Sequence, residues 1–578
     1  MSARRNSNGP PLKEIWHSTR LLPKAQNTSS QAAGWVASCN LPPATRIIRS
    51  KPWTHAKVCT EDSIQLPRCL PTAIRISRSN LQRAPNDPRR LDSENSGLGT
   101  CIPDASGLDS QRESLRQAEI LYSQGEYRDA SEILKTLCKE YPENSQAKKD
   151  LTKTIFRLLE QQRGGYNFKS LYAEVEKLRP PRLDRATYFE PVEVRNSQLT
   201  GRGLFTKSAV KAGDLLVCEK AFSYCYIDSL AGTEAALREA TLRKLGENPG
   251  SLSALSSVYH GSYVPKLEVD GQPFVDPQLV DKILTTNSLG GSLTSLSSHL
   301  AASTLTPTAS SGHSSGLWIL AATINHSCFS NCRRSFIGDM LIIRASQDLP
   351  ADTELLWAYR NPAAKDHEYD ATQKSLSEYE FICACELCTD AKATGKKMLK
   401  KREALRAELS AAFGAGSVRG GFDCGKVDMG RLEKTLGLLE KTYSSSAIEV
   451  PRTGIWDPYL ALTRMYAILG RPQNVIWSVL KVLENLGFAI EGASFPPARA
   501  DSVIAVVKWG LVVDHLVECW VLLWTAYAVL RDVRRAEMAR EMAVVSYRVL
   551  VGEDETFEET YGVRARGCVA QGRLWSSS

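Results

Sequence analysis

Three closely spaced cysteines could bind a metal ion. Cys383, Cys385 and Cys388 bring three thiols within six residues, and a structural zinc ion takes four thiolate or imidazole ligands. The N-terminus lacks the charged, apolar and small-residue pattern of a secretory signal. We therefore expect a reducing compartment, where clustered cysteines indicate a metal site rather than disulfides. Three buried free thiols are the alternative.

Polar and aromatic residues upstream of the cysteines could bind a ligand or a substrate. Asn325 and His326 follow an apolar run, Tyr359 ends a strand-like segment, and Tyr379 and Phe381 come directly before the cysteines. Taken singly, Asn325 and His326 are explained as polar side chains that are hydrogen-bonded within a core, and Tyr359 is explained as an aromatic residue at the end of a strand. Their combination in one short stretch is what predicts a site.

Short strands between turns must position these residues. Runs of β-branched or apolar residues bounded by turn residues predict strands at about residues 191–195, 201–205, 215–219, 335–337 and 340–345. Gly338-Asp339, between the last two runs, favours a hairpin. Gly201 and Gly203 allow a close approach to a ligand, although Gly-x-Gly by itself mostly marks a turn. Small sheets with helices before and after them predict an α+β fold.

Four segments in this order resemble the SET-domain lysine methyltransferases, most closely the SMYD-type enzymes with a cysteine-rich post-SET tail and a helical C-terminal domain. The segments are Gly201–Phe205, Asn325–Asn331, Glu354–Tyr359 and Tyr379–Cys388. One of them alone would not identify the family; the order of all four does. The flanking helical regions resemble fungal-type proteins that join tetratricopeptide repeats to a SET domain. The MYND finger of the SMYD enzymes is not found in the insertion at residues 223–316.

The resemblance implies small β-sheets whose second and third segments form a pseudoknot, which brings Asn325 beside Tyr359. It also implies S-adenosylmethionine as methyl donor and a lysine of a protein, histone or non-histone, as acceptor. Tyr359 would be the catalytic residue, lining the lysine channel and orienting the amine without acting as a general base. The residues expected to bind the donor are Arg202, Gly203, Leu204, Asn325, His326, Tyr379 and Phe381. Cys383, Cys385 and Cys388 are expected to hold a structural Zn²⁺, and Cys328 from the second segment is expected to supply the fourth ligand.

Three residues depart from the pattern of the family. Ser330 stands where Pro is usual, Asp352 where Gly is common, and Ala358 where an acidic or small polar residue often precedes the tyrosine. Cys332 lies close to Cys328 but outside the pattern, and we interpret it as structural. The departures leave a second interpretation open: a degenerate SET core between helical arms that binds protein partners as an adaptor.

Changes in composition divide the 578 residues into several domains. Residues 1–100 hold 15 Lys and Arg against 6 Asp and Glu, so the net charge of +8 comes from this Ser-, Pro- and Arg-rich segment. We expect it to be disordered, with an organellar transit peptide as the alternative. The predicted organisation is a disordered basic tail (1–108), tetratricopeptide-like helices (109–180), a SET domain (190–360) with an insertion (223–316), a post-SET zinc segment (361–390) and an α-helical C-terminal domain (391–578).

The helical regions carry further expectations. Residues 118–142 have Gly, Ala, Leu and Pro at the positions of a tetratricopeptide repeat, with an ordinary helical hairpin as the alternative. Residues 286–315 are predicted to form a partly mobile loop. The C-terminal region should form paired helices, of which Val503–Leu530 is the most apolar. Its uninterrupted part, Cys519–Leu530, is too short to span a membrane.

Together these patterns predict an S-adenosylmethionine-dependent protein-lysine N-methyltransferase with a structural zinc ion. Besides the protein substrate, peptides that bind the helical repeats are expected partners. We expect neither a membrane anchor nor a nucleic-acid-binding fold, because the basic residues lie in a tail and not on a recognisable motif. The expected location is the cytoplasm, the nucleus or both.

Overall fold

The computed structural model describes residues 105–199, 201–227, 232–304, 312–360, 367–418, 421–497 and 502–576. Positions 1–104 of the predicted disordered tail (1–108) lie outside the described residues. From Ala105 onward the chain forms helices before and after a group of small sheets, which confirms the predicted α+β class.

Between residue 105 and the first strand, the chain forms four helices. They are α1 (Ala105–Gln124), α2 (Tyr127–Glu140), α3 (Ser145–Arg163) and α4 (Phe168–Val175). In α2 the buried residues Tyr127, Ala130, Leu134 and Leu137 recur every three or four positions, so that its apolar side packs against both α1 and α3. The predicted helical pair is present, and its assignment as a tetratricopeptide repeat stays a prediction.

Short strands follow α4. In chain order they are β1 (Val192–Asn196), β2 (Arg202–Thr206), β3 (Leu215–Lys220), β4 (Ser223–Ile227), β5 (Glu268–Val269), β6 (Gln272–Pro273), β7 (Leu289–Gly291), β8 (His313–Leu317), β9 (Asn325–His326), β10 (Cys332–Ile337), β11 (Met340–Ala345) and β12 (Leu356–Trp357). Two three-stranded antiparallel sheets have the orders β10-β11-β3 and β4-β8-β7. Strands β1 and β2 form an antiparallel pair, as do β5 and β6, whereas β9 and β12 pair in parallel.

The sheet β10-β11-β3 is covered on both faces, which explains why β11 is buried at every position. Leu341 and Ile343 belong to a core shared with β2 and β12, whereas Met340 and Ile342 pack on the opposite face with residues of α4. The predicted hairpin between β10 and β11 is confirmed. Gly338 in its turn has a φ of 54°, a conformation that favours glycine.

The insertion between β4 and β8 is largely helical. It contains α5 (Thr233–Glu247), α6 (Leu252–Ser256), α7 (Pro277–Asn287) and α8 (Ser295–Thr304). The prediction of a loop at residues 286–315 is wrong in its described part, because β7 and α8 lie there. Strand β7 joins the sheet beside β8, and serine and threonine hydroxyls bond to the local backbone, as Ser292 does to the Thr294 carbonyl at 2.7 Å. The hydroxyl-rich composition therefore stabilises a folded segment.

Helices dominate the chain after β12. They are α9 (Tyr369–Leu376), α10 (Glu386–Gly414), α11 (Met429–Glu440), α12 (Trp456–Ile468), α13 (Pro472–Asn485), α14 (Leu516–Val529), α15 (Val533–Val551) and α16 (Val563–Ala570). Two short antiparallel pairs interrupt them: β13 (Ser417–Val418) with β14 (Gly421–Phe422), and β15 (Ala489–Glu491) with β16 (Ala505–Lys508). Helices α11 to α15 pack around one large apolar core.

The prediction of a helix over Val503–Leu530 is wrong in its first half. Residues 505–508 form β16, and α14 begins only at Leu516. The β-branched residues of this half favour a strand, and pairing with β15 provides a partner for its backbone groups. Helix α14 is buried almost throughout. None of the helices in the described part of the chain has the length and apolar character that crossing a membrane requires.

A buried arginine joins the C-terminal helices to the sheets. Arg344 on β11 donates to the carbonyl of Gly213 at 2.8 Å and to the carbonyl of Gly552, just after α15, at 2.7 Å. Arg333 on β10 forms a second link, an ion pair with Asp514 at 2.5 Å. These contacts connect the large helical core to the sheet β10-β11-β3.

Candidate active site

Strands β9 and β12 bring the second and third sequence segments together. They pair in parallel, with Asn325 beside Leu356. The Asn331 side chain reinforces the pairing, because its carbonyl accepts from the Leu356 amide at 2.8 Å and its amide donates to the Glu354 carbonyl at 2.7 Å. This parallel pairing is the contact that the predicted pseudoknot requires, and it brings Asn325 close to Tyr359.

The carboxylate of Glu354 connects three parts of the site. One oxygen accepts from the Asn325 side-chain amide at 2.7 Å, and the other accepts from the Ser197 hydroxyl at 2.9 Å. The same amide of Asn325 donates to the Arg202 carbonyl at 3.1 Å. A Cβ built on Gly203 would overlap the carboxylate. The glycine is therefore needed so that the first segment can approach Glu354, which is a contact within the protein.

The three departures from the family pattern are accommodated by local hydrogen bonds. The Ala358 amide donates to the Ser330 hydroxyl at 3.0 Å, a bond that a proline at position 330 could not form. Asp352 has a φ of 60°, the left-handed conformation that glycine adopts most easily and that Asp tolerates better than most residues. Its carboxylate pairs with Arg195 at 3.0 Å. Ser330 therefore adds a contact between the second and third segments, and Asp352 adds one to β1.

Four cysteine sulfurs converge next to this junction. Cys328 Sγ lies 3.9 Å from Cys383 Sγ and 3.7 Å from Cys388 Sγ, and with Cys385 all four sulfurs lie within 4.8 Å of one another. Tetrahedral zinc with Zn–S bonds of about 2.3 Å holds its sulfurs about 3.8 Å apart, so this spacing fits zinc. Hydrogen bonding to Cys328 lowers the pKa of the Cys385 thiol. Gln373 on α9 fixes the segment by exchanging two hydrogen bonds, of 2.9 and 3.0 Å, with the backbone of Cys383.

Two imidazoles contact the cysteine cluster. His326 Nδ1 accepts from the Tyr359 amide at 3.0 Å, so the ring proton resides on Nε2, which lies 3.3 Å from Cys328 Sγ. His367 Nε2 lies 3.3 Å from Cys388 Sγ, and burial lowers the pKa of this imidazole to about 4. N–H groups that donate to ligand atoms orient metal-bound side chains. His326 therefore links the cluster to the backbone of Tyr359.

Aromatic rings from the cysteine segment cover Tyr359 and His326. The ring centroid of Tyr379 lies 4.7 Å from that of Tyr359, and the centroid of Phe381 lies 5.6 Å from that of His326. Tyr359 and His326 are themselves edge to face at 5.0 Å. Because Tyr379 and Phe381 directly precede the cysteines, the fold of the cysteine cluster sets the position of this cover.

The Tyr359 hydroxyl is held by the backbone. It donates to the Ile324 carbonyl at 3.0 Å, which leaves the lone pairs of the phenol oxygen available to a ligand. Burial, with the neighbouring Tyr379 adding to it, raises the pKa of Tyr359. The phenol therefore stays protonated at neutral pH, where it can orient a substrate but cannot act as a phenolate base.

Tyr359 and Tyr379 face a cleft. Its lining residues are Thr286, Asn287, Leu289, Ala321, Ala322, Ile324, Arg334, Trp357, Tyr359 and Tyr379. Most of this wall is apolar or aromatic, and the first three residues come from the insertion. The insertion thus shapes the cleft, as its place between the first and second segments suggests. Arg334, on β10, brings the one guanidinium among the lining residues.

The family comparison agrees with this geometry. Residues 201–360 match the family described as SET domain. The chain contains a SET domain. The match begins at the Gly201 turn and ends one residue after Tyr359, so the SET domain includes the first three segments and Cys328. Cys383, Cys385 and Cys388 lie downstream of it. The predicted resemblance to SET-domain proteins is confirmed.

Similar proteins carry methyltransferase names. A protein of Gibberella zeae named Methyltransferase is 34% identical over 480 residues, which cover 78% of this chain and 64% of that protein. The Protein-lysine N-methyltransferase SMYD4 of Homo sapiens is 36% identical over 73 residues, 13% of this chain and 9% of that protein. The same-named protein of Pongo abelii is 34% identical over 73 residues. This SET-domain chain spans less than two thirds of the length of each of these relatives.

The predicted site residues fall into two groups within and beside the SET domain. Tyr359 and Tyr379 line the cleft, whereas Arg202, Gly203, Leu204, Asn325, His326 and Phe381 do not. Leu204 is fully buried in the core, so only its backbone could contact a ligand. The cysteines predicted as ligands meet in one cluster, and Cys332 stays outside it.

Sequence reasoning assigned no role to three residues that the structure brings to the site. Glu354 was visible only as the first residue of the third segment, and its role depends on partners far away in sequence. Arg334 follows Arg333 on β10, and no signal in the sequence indicates which of the two arginines enters the cleft. His367 lies 16 positions before Cys383, too far for its spacing to indicate a contact.

Proposed function

We propose that this protein is an S-adenosylmethionine-dependent protein-lysine N-methyltransferase. The SET domain and the names of its relatives support a protein methyltransferase. The observation that carries the finer proposal is the setting of Tyr359. Its hydroxyl is fixed to the Ile324 carbonyl at an aromatic cleft, and its backbone is tied through His326 to the cysteine cluster.

The residues that would hold the donor lie where β2 meets β9. Arg202 and Gly203 present the backbone of β2, Asn325 and His326 present the backbone of β9, and Phe381 covers His326 from the cysteine segment. Once bound, the donor supplies a methyl group activated by its sulfonium. The Asn325 side chain is engaged by Glu354 and by the Arg202 carbonyl, so it would keep the binding backbone in place rather than contact the donor.

Tyr359 and the cleft would prepare the acceptor amine. A lysine with a solution pKa near 10.4 must lose its proton before it attacks, which costs roughly 4–5 kcal/mol at pH 7. The apolar wall formed by Ala321, Ala322 and Trp357 favours the neutral amine by desolvation. The phenol oxygen of Tyr359 accepts an amine N–H and so directs the nitrogen lone pair, which supplies alignment rather than base catalysis.

A zinc ion on the four cysteines would be structural. Four thiolates complete a tetrahedral set and leave no open position for a substrate. The ion would bind the segment that follows the SET domain to Cys328, which lies in the second segment. Tyr379 and Phe381 would thereby keep their places over Tyr359 and His326.

The adaptor interpretation gains nothing from these observations. It was motivated by the unusual residues at positions 330 and 358. These two residues are hydrogen-bonded to each other and join the second and third segments. Their presence therefore gives no reason to expect a degenerate site.

Transfer of labelled methyl from S-adenosylmethionine to a protein array tests the proposal. The wild type should label lysines, which mass spectrometry identifies, and Tyr359→Phe should lower kcat by about 10²-fold because alignment is lost. Tyr466→Phe, which removes a hydroxyl bonded to Glu433 within the helical domain, is the matched control and should retain full activity. Donor binding without any lysine labelling, or equal activity of Tyr359→Phe and the control, would contradict the proposal.

A further inference from the structure

Arg334 is a buried cation that has no counter-charge among the described residues. Its side chain projects from β10 into the cleft, the residue is only 9% exposed, and no hydrogen-bond partner of Nε lies among those residues. The guanidinium lies over the Trp357 ring, 4.7 Å from its centroid. No carboxylate among the described residues forms an ion pair with it; the ion pair of β10 belongs to Arg333, which meets Asp514.

Such an arrangement is costly unless a ligand completes it. A buried charge is normally paired or fully hydrogen-bonded, and stacking on an aromatic ring offsets only part of its desolvation. Burial, with the charge of Arg333 adding to it, lowers the pKa of Arg334 to about 10, so the guanidinium remains charged at neutral pH. The cleft therefore contains a fixed positive charge whose Nε–H finds no acceptor in the described part of the chain.

This charge opposes the ligands of the proposed reaction, and the following step rests on that proposed function. The donor is a sulfonium cation, and the acceptor lysine arrives as an ammonium. An unpaired guanidinium beside Tyr359 would repel both, whereas a carboxylate from the substrate would neutralise it. The planar fork of the guanidinium matches the two oxygens of a carboxylate.

We propose that Arg334 binds a carboxylate that the acceptor substrate brings into the cleft next to its lysine. The carboxylate would belong to an acidic side chain or to a chain end near the lysine. The carboxylate of the donor is the other source of the same chemistry. The acceptor is favoured because Arg334 shares the cleft with Tyr359 and with insertion residues such as Asn287, whereas Gly203 and Asn325 do not line it.

Small fluorinated probes test the site without relying on catalysis. Binding of 4-fluorophenylacetate and of 4-fluorobenzylamine to the full chain is measured by ¹⁹F NMR. The wild type should prefer the carboxylate, and Arg334→Gln should weaken its binding at least about tenfold, as loss of a charge-assisted pair does. Arg333→Gln removes a charge from the same strand and should leave probe binding intact. Arg334→Lys, which keeps the charge but loses the fork, should bind with intermediate affinity and serves if the glutamine variant does not fold.

Three outcomes would overturn the inference. In the first, the wild type binds neither probe or prefers the amine. In the second, the wild type and both Arg334 variants bind the carboxylate probe equally. In the third, S-adenosylhomocysteine displaces the carboxylate probe. The last outcome would assign the guanidinium to the carboxylate of the donor.

Peptide pools then connect the site to specificity. Each peptide carries one lysine, flanked by Glu in one pool and by the isosteric Gln in the other. The wild type should methylate the Glu pool with a kcat/KM at least about tenfold higher, and Arg334→Gln should reduce this ratio towards one while Arg333→Gln preserves it. A ratio unaffected by Arg334→Gln would refute the specificity role. If no pool is methylated by the wild type, the proposed function fails, and the probe measurements still decide the carboxylate site.

Discussion

Replacing His326 with leucine should disturb both the cysteine cluster and Tyr359. The imidazole accepts from the Tyr359 amide at 3.0 Å and, through Nε2–H, reaches Cys328 Sγ at 3.3 Å. Leucine has a similar bulk but neither a donor nor an acceptor. The substitution therefore removes both polar contacts while keeping an apolar side chain under the cover formed by Phe381.

The expected magnitude follows from these contacts. Leaving the Tyr359 amide without an acceptor costs about 1–3 kcal/mol, and the lower half of this range applies because the bond is only partly buried. Loss of the edge-to-face contact between His326 and Tyr359 adds about 0.5–1 kcal/mol. We expect the free energy of unfolding to fall by about 1.5–3 kcal/mol, and zinc affinity to fall by about 10–100-fold, as for other outer-shell contacts.

His367→Leu is the matched comparison. His367 contacts Cys388 Sγ at the same distance of 3.3 Å but makes no bond to Tyr359. Zinc affinity, measured by competition with a chromophoric chelator, should fall in both variants. Affinity for S-adenosylhomocysteine, measured by calorimetry at saturating zinc, should fall only in His326→Leu. His326→Asn, whose amide oxygen can replace Nδ1, should recover donor affinity without recovering zinc affinity.

Equal effects of the two leucine variants on S-adenosylhomocysteine binding would refute the reasoning. The link between the cluster and Tyr359 would then have no energetic consequence. Unchanged zinc affinity in both variants would contradict the assignment of the imidazoles as contacts of metal-bound thiolates.

Three further predictions concern zinc, pH and the domain junction. Removing zinc with a chelator should weaken S-adenosylhomocysteine binding by at least about tenfold because the aromatic cover is released; unchanged affinity in calorimetry would argue against a zinc-held cover. Burial raises the pKa of Glu219 from 4.5 to about 7, although the Leu320 and Ala321 amides donate to it. Between these pH values the unfolded chain loses a proton that the native chain keeps, so the free energy of unfolding falls with rising pH by about 3 kcal/mol. Glu219→Gln should abolish this fall, which chemical denaturation at pH 5 and at pH 7 measures. Arg344→Met should lower the free energy of unfolding by about 2–3 kcal/mol through loss of two charge-assisted bonds, and an unchanged denaturation midpoint would contradict this.

The sequence was sufficient to predict an element where its structure depends on residues that are neighbours in the chain. The β10–β11 hairpin follows from Gly338-Asp339 between apolar runs. Helix α13 begins at Pro472 and α15 begins after the N-cap Asp532, and both residue types favour a helix start. Prediction from the sequence was wrong where the composition of a segment suits more than one type of secondary structure. The serine-rich segment before β8 forms α8 instead of a loop, and β16 replaces the first half of a predicted helix, because in both cases a partner strand or helix supplies the missing contacts.

The candidate site shows the same division. The sequence by itself determined that three closely spaced thiols, an Asn-His pair and Tyr359 occur in the order typical of SET-domain proteins. Only the tertiary structure decided that Glu354 joins Ser197 to Asn325, that His326 connects a thiol to the amide of Tyr359, and that Arg334 projects into the cleft lined by Tyr359. The physical reason is that hydrogen bonds, charge pairing and desolvation depend on distance in space, and chain folding brings together groups whose separation in sequence contains no record of their contact.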